Sequence, residues 1–502
     1  MKKQAFNPYL PSYEYVPDGE PHVFGDRVYV YGSHDRFNGA AYCMNDYICY
    51  SAPVDDLGNW RYEGVIYKKT QDPYNDGSHH NPKDPGVVDG IHCMYAPDVC
   101  QGTDGRYYLY YCLDNISQVG VAVCDTPCGK FEFLSYVKDR NGNVLGQREG
   151  DIYQFDPGVL VDDDGRVYLY TGNSQMIMKP EAIVKRIWPN NHSMVTELES
   201  DMVTAKTEPK KLIPNMPEAV GTDFDGHAFF EASSIRKIGN MYYFVYSDIN
   251  CHNLCYATSD KPMEGFKYRG VLVSNGDIGL DGRVGGSGIG FLKRTPTAPT
   301  GNNHGGMVNI LGQWYIFYHR QTNCHDHSRQ TCAEKIYIKP DGSIDQVHVT
   351  SCGLNDGALK GEGLYPSYIA CNLWNARRYS GNSFSFAKGK VNYPYITQDG
   401  EDREEGENQY VANIKNGYYV GYKYFAFDGL TEVSVTVRGK GKGVMEVFVD
   451  PDKAPVAKIS VEGTPAWTRY FAKAENTVGE YPLYFRYVGN GSLQLKEFEL
   501  KK

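Results

Sequence analysis

The chain has 502 residues, of which 14% are aromatic (42 Tyr, 21 Phe), and a formal net charge of -10. That length exceeds one ordinary core and predicts two domains. The acidic balance excludes a nucleic-acid partner, which needs basic stripes, and no run of about 18 apolar residues offers a membrane helix.

The opening stretch, Met1-Lys2-Lys3-Gln4-Ala5-Phe6-Asn7-Pro8, carries charge but no apolar h-region. The 13 cysteines are odd in number and scattered. Together these predict reduced thiols and a cytoplasmic protein. Next comes Asp26-Arg27-Val28-Tyr29-Val30-Tyr31, a turn followed by an aromatic, β-branched strand. The phrase returns as Gly105-Arg106-Tyr107-Tyr108-Leu109-Tyr110, and again at residues 165–170, 239–244 and 312–317. A second strand follows each phrase, as at residues 47–51 and 253–258, and then an outer strand, as at 266–270. A unit recurring at roughly 60–80 residues predicts radial repetition, here an all-β five-bladed β-propeller over residues 1–352. Only residues 179–187 have weak helical character.

Other motifs carry less. The glycine cluster at 285–290 lacks the dinucleotide-loop spacing. Cys324-His325-Asp326-His327 lacks the paired Cys-x-x-Cys of structural zinc. Cys124, Cys128, Cys251 and Cys255 read as buried thiols. Residues 353–391 read as a linking and packing segment. From 392 to 502 short strands at regular spacing predict a jelly-roll-like β-sandwich. Its acidic stretch 399–407 reads as a solvated loop, with an ion site as the alternative, and residues 439–443 as a hairpin turn.

Upstream of the five phrases stand Asp18, Asp98, Asp156, Glu231 and His304. Equivalent positions of propeller blades meet around one axis. The repeat therefore predicts a ring of carboxylates and one histidine at the mouth of a central funnel. Like-charged carboxylates resist burial together, so such a ring implies chemistry. Glycoside hydrolysis fits it, because one carboxylic acid must protonate the leaving oxygen while a second carboxylate activates water or attacks the sugar. Phosphoryl transfer would need a glycine-rich cradle followed by lysine, which the sequence lacks.

Asn7-Pro8-Tyr9-Leu10-Pro11 followed by Asp18 and Val28-Tyr29-Val30-Tyr31-Gly32-Ser33-His34-Asp35 resembles the opening of glycoside hydrolase family 43. Tyr95-Ala96-Pro97-Asp98, Phe155-Asp156-Pro157, Phe229-Phe230-Glu231 and Asn303-His304-Gly305 resemble its later blades, in order. The resemblance implies that Asp18 is the general base, Glu231 the general acid, and Asp156 the carboxylate that tunes and orients Glu231. It implies an inverting enzyme, with base and acid roughly 6.5–9.5 Å apart. It places Asp98, Tyr95, Arg329, His34 and Phe230 at the sugar, and a calcium or sodium ion at the axis on His304. It calls for no organic cofactor. Three positions depart from the family pattern. Tyr95 stands where tryptophan is common. Ala232-Ser233 replaces Gly-Pro. Pro17-Asp18-Gly19-Glu20 leaves Glu20 as the alternative base. The tail resembles carbohydrate-binding module family 6, with Trp467, Tyr419 and Asn490 as candidate glycan contacts, although a sandwich that only buttresses the propeller fits equally.

The expected activity is exo-hydrolysis of terminal arabinosyl or xylosyl residues from plant-type oligosaccharides. The alternatives are an endo-arabinanase, a propeller glycoside phosphorylase and a non-catalytic glycan-binding propeller.

Overall fold

The computed structural model describes residues 3–76, 87–88, 90–174, 192–280, 298–380, 391–403 and 408–502. The weak helix at 179–187, the glycine cluster at 285–290 and the end of the acidic stretch at 404–407 lie outside the described residues. The first five sheets follow the five phrases. Blade one comprises Glu20–Phe24, Arg27–Tyr31, Tyr47–Pro53 and Arg61–Tyr67, paired antiparallel in sequence order. Blade two holds Met94–Gln101, Tyr107–Leu113, Val119–Cys124 and Glu132–Tyr136. Blade three holds Gly158–Val161, Val167–Gly172, Ser193–Leu198 and Lys210–Lys211. Blade four holds Phe229–Ile238, Met241–Asp248, Asn253–Ser259 and Lys267–Ser274, and blade five has three strands, Met307–Ile310, Gln313–Gln321 and Arg329–Ile336. Each phrase forms the second strand of its blade. Aromatic and β-branched side chains on alternate faces let it pack on both neighbouring blades.

Each blade-to-blade interface has its own apolar cluster, and the clusters close a ring. Tyr31 and Cys49 of blade one meet Leu109 and Tyr111 of blade two. Tyr110 and Val121 then meet Val159 and Leu169, and Tyr168 and Tyr170 meet Phe244 and Tyr246. Val245 and Tyr256 meet Ile316 and Tyr318. Finally Val308 and Phe317 of blade five meet Val28 and Val30 of blade one.

The N-terminal segment straps this last junction. The buried Asn7 side chain donates from Nδ2 to Ala333 O at 3.0 Å, Thr350 O at 3.1 Å and Glu334 Oε1 at 2.9 Å, while its Oδ1 accepts from Ala333 N at 2.9 Å. Every polar atom of that amide is therefore used, as burial demands.

Two further six-stranded sheets face each other as the sandwich. One contains Tyr419–Asp428, Val478–Asn490, Lys442–Phe448 and Ala457–Glu462, and the other Tyr395–Gln398, Gln409–Lys415, Ser492–Lys501, Glu432–Gly439 and Thr468–Lys473. Val435, Phe485, Leu495 and Phe498 are among the side chains filling the space between them. The segment read from sequence as linking and packing, residues 353–391, contributes short strands to the sandwich. Leu359–Lys360 and Asn372–Trp374 pair with Tyr419–Asp428, and Gly363–Pro366 pairs with Ser492–Lys501, so this segment supplies edge strands to both sheets. Its short apolar runs between turn residues look like punctuation in sequence because each edge strand is only two to four residues long.

The registers at the axis sort the ring residues into two layers. Glu20 pairs with Tyr31, Asp98 with Tyr110 and Gly158 with Tyr170, the last residues of the first three phrases. In blade five Gly306 O accepts from Phe317 N, so Gly306 takes the same level. Asp18, Ala96, Asp156 and His304 stand two residues earlier and form the layer above.

Candidate active site

The upper layer opens into a cavity of about 430 Å³. Asp18, Asp156, Glu231, His304 and Arg329 line it, together with Tyr95 and Phe230. Phe155 packs edge-on against Tyr95 at 5.7 Å between centroids and stacks with Tyr153 at 5.7 Å, which makes one wall aromatic. Such a mix of ring faces and convergent polar groups suits a sugar, whose C–H faces stack while its hydroxyls hydrogen-bond.

The backbone at the carboxylates is unusual. Asp18 has φ 58°, Asp156 has φ 42°, and Ala232, next to Glu231, has φ 68°. Non-glycine residues in the left-handed region cost free energy and gather where structure over-determines them, commonly at working sites. Here the turn re-aims each acid towards the axis. Asp156 Oδ2 accepts from Ala232 N at 3.1 Å, which ties the third blade's acid to the strand that carries Glu231. Glu231 Oε2 accepts from Asn173 Nδ2 at 3.1 Å.

The electrostatics separate the two principal carboxyls. Burial alone would raise Asp18, but the Arg329 guanidinium and His319 outweigh it and hold the carboxyl far below the usual range. Arg329 Nη1 donates to Asp18 Oδ1 at 3.0 Å, and Asp18 N donates to His319 Nδ1 at 3.2 Å. Burial first, and the Asp18 charge second, push Glu231 up to about 8. Burial and the neighbouring Glu231 and Asp18 likewise push Asp156 well up. Near neutral pH the cavity thus combines an ionised Asp18 with Glu231 and Asp156 held protonated.

Two sequence-derived contacts are corrected. Asp98 does not line the cavity. It lies one layer down, where it accepts from His22 Nε2 at 2.7 Å and from Val159 N at 2.8 Å. The residue level with Asp156 in blade two is Ala96, and Ala96 lines the cavity. His34 is also absent from the lining. Its Nδ1 bonds to Asp46 O at 2.8 Å and its Nε2 lies 3.3 Å from Glu14 Oε2, so it braces the blade-one loop from behind. Glu20, the alternative base, lies in the lower layer against Arg236 Nη2 at 2.8 Å and Ser234 Oγ at 3.1 Å.

Arg329 lines the cavity, but its guanidinium is engaged within the protein. Nε and Nη2 grip Asp35 at 2.9 and 3.0 Å, and Tyr42 lies across its face at 4.8 Å. Sequence reasoning missed Asp114, Asn115, Asn173, Asn302, Tyr42 and Cys251 in the lining. Several stand just past the end of a phrase strand, so the same repeat logic, applied downstream of the phrase, would have found them. Burial raises Asp114 to about 6 despite a hydrogen bond from Tyr95.

A cation at the axis was expected on His304. Its Nε2 and Glu20 Oε1 are both buried without a hydrogen-bond partner and face each other at 3.8 Å. Burial pushes His304 down to about 4, so the ring is neutral near pH 7. One nitrogen, one carboxylate oxygen and water fit a hard cation. Among the described residues, Cys324, His325 and His327 do not form a metal-spaced group with any acid.

In the sandwich, Tyr419 is buried among Trp374, Phe448 and Tyr484, which corrects its expected role as a glycan contact. Arg438 lies 4.3 Å over the Trp467 ring and Tyr410 meets that ring edge-on at 5.4 Å, so the expected sugar platform already carries a guanidinium. Asn490 Oδ1 accepts from Lys442 N at 3.2 Å on the neighbouring strand Lys442–Phe448.

Comparison with known proteins agrees with this architecture. The model for glycosyl hydrolases family 43 matches residues 16–344. A protein of Thermoclostridium stercorarium described as a xylosidase/arabinosidase is 50% identical over 500 residues, covering 100% of this chain and 99% of that protein. A xylosidase/arabinosidase of Bacteroides ovatus is 29% identical over 337 residues, covering 62% of this chain and 87% of its own. Among solved structures, a family 43 β-xylosidase/α-arabinofuranosidase from a compost microbial metagenome, in complex with xylotriose and in a calcium-free form, superposes with a TM-score of 0.50. It is 24% identical and covers 69% of this chain and 98% of that one. The chain belongs to glycoside hydrolase family 43 and is a glycoside hydrolase with a five-bladed β-propeller followed by a β-sandwich.

Proposed function

We propose that the chain is an inverting exo-glycosidase that removes terminal xylosyl or arabinofuranosyl residues from plant-type oligosaccharides. One observation carries the mechanism: Asp18 and Glu231 face the same cavity with their carboxyls displaced in opposite directions. The ionised Asp18 takes a proton from a water, and the oxygen of that water attacks the anomeric carbon. Protonated Glu231 gives its proton to the leaving glycosidic oxygen as the C–O bond breaks. Asp156 holds the backbone beside Glu231 through Ala232 N. The aromatic wall of Tyr95, Phe155 and Phe230 stacks on the sugar, and Asn173 and Asp114 receive hydroxyls. The xylosidase/arabinosidase relatives support the pentose assignment.

His304 and Glu20 would hold a calcium or sodium ion, which supplies fixed positive charge beneath the carboxylates. In this reading His304 acts through its Nε2, which faces Glu20 Oε1 at 3.8 Å.

A panel of nitrophenyl pentosides and hexosides, assayed with and without phosphate and with Asp18→Asn as control, tests the reading. Turnover of a pentoside without phosphate, lost in Asp18→Asn, with a product of inverted anomeric configuration by proton NMR, is the expected result. A phosphate requirement or a retained anomer would overturn it.

A further inference from the structure

We propose that the C-terminal sandwich is a working part of the active site. Its Asp402 is a positioning residue that, through the loop of residues 35–45, holds Arg329 against Asp18. The inference rests on the reading of Asp18 as the base.

The bonds form a continuous path. Asp402 Oδ1 accepts from Phe37 N at 2.6 Å, and its Oδ2 from Asn45 Nδ2 at 2.9 Å. Asn45 Nδ2 also donates to Asp35 O at 3.1 Å, and Asn45 Oδ1 accepts from Arg36 Nε at 3.1 Å. No strand supports the chain between Tyr31 and Tyr47, so these bonds, together with Asp35 N to Tyr15 O and Asn45 N to His34 O at 2.9 Å, hold the loop's shape. Asp35, at the start of the loop, accepts from Cys43 N at 2.9 Å and takes Arg329 through its backbone N, Nε and Nη2 at 2.9–3.1 Å. Arg329 Nη1 then reaches Asp18. Asp402 thus lies one loop and two ion pairs, both made by Arg329, from the base.

The opposite side of Arg329 is held by the same edge of the sandwich. In the blade-five loop that leads to Arg329, Asn323 N donates to Ile396 O at 2.6 Å, and Asn323 Oδ1 accepts from Thr397 Oγ1 at 2.6 Å. Gln409 Nε2 donates to Gln330 Oε1 at 3.3 Å. Next to Asp402, Arg403 Nη2 donates to the buried Glu14 Oε1 at 2.8 Å, behind His34. A module tethered only to hold glycan needs none of these contacts. A wall that must hold a bidentate arginine still needs all of them, because small displacements of catalytic groups are costly in rate.

The test uses the full-length chain. Asp402→Ala should lower kcat on a nitrophenyl pentoside by tenfold to a hundredfold, on the order expected for a base misplaced by a fraction of an ångström. KM should stay within about threefold, and hydrogen exchange should accelerate in peptides covering residues 35–45 while the blade strands hold. Asp35→Asn should also be slow. Adding Asp402→Ala to it should cost less than about a further twofold, because both act through the same arginine. A folded Asp402→Ala with wild-type kcat, or losses that multiply in the double variant, overturns the proposal. If Asp402→Ala does not fold, Asp402→Asn, which keeps the shape and one acceptor, carries the same cycle. Full activity of Asp18→Asn would instead remove the base assignment, while the Asp402–Asp35 cycle would still report whether the sandwich governs Arg329.

Discussion

At the scale of single residues, the site works by giving chemically similar carboxyls different surroundings. Asp18 has a buried guanidinium on one oxygen, whereas Glu231 has only an amide donor. Because Glu231 titrates at about 8, its proton is present below that pH and is lost as pH rises through it. For a substrate with a poor leaving group, kcat/KM should therefore fall above about pH 8, one decade per unit. A profile flat to pH 10 on such a substrate would count against Glu231 as the acid. Glu231→Ala should lose about 10²–10⁴-fold on alkyl or oligosaccharide pentosides and far less on dinitrophenyl pentosides, whose leaving group needs little protonation. Comparing the two classes in one series checks this.

At the scale of strands, position along the chain becomes position along the axis. The recurring phrase made the blades legible, since alternating aromatic and β-branched residues after a turn have few other readings. Asp18, Asp156, Glu231 and His304 were legible for the same reason. Asp98 was misplaced because the distance from ring residue to phrase ranges from seven to nine residues between blades, and a strand moves one level with every second residue. Only the pairing of Asp98 with Tyr110, against Gly158 with Tyr170, reveals the slip. Asn173 and Asp114 directly follow their phrase strands and were missed because the repeat was read only upstream of the phrase. Close approach matters at this scale too. A Cβ on Gly158 would lie 2.5 Å from Ser233 O, beside both Asp156 and the strand of Glu231. Gly158→Ala should part blades three and four slightly, with a loss of about 1–3 kcal/mol in stability. The accompanying loss of kcat should be on the order of tenfold or more. Denaturant melts alongside kinetics would separate the two effects, and unchanged kcat would show that the acids tolerate the shift.

At the scale of the whole molecule, the propeller and sandwich share buried polar bonds rather than a flexible tether. Arg320 donates from Nη1 to Ala370 O at 2.6 Å, and Ser351 N donates to Lys423 O at 2.7 Å. The two should therefore unfold together, in one calorimetric transition, and two resolved transitions would refute that coupling. Asn7→Ala removes one of several donors to the buried Glu334 carboxyl, a donor to two carbonyls, and the acceptor of Ala333 N. It should cost about 3 kcal/mol, read as a drop in the melting temperature without a change in KM. The strap built around Asn7 also sets an order of events at the ribosome. The side chain of Asn7 has no partners until blade five and the stretch around Thr350 have been synthesised. For most of translation the nascent ring is an open arc with unpaired ends, exposed to chaperones and to neighbouring chains.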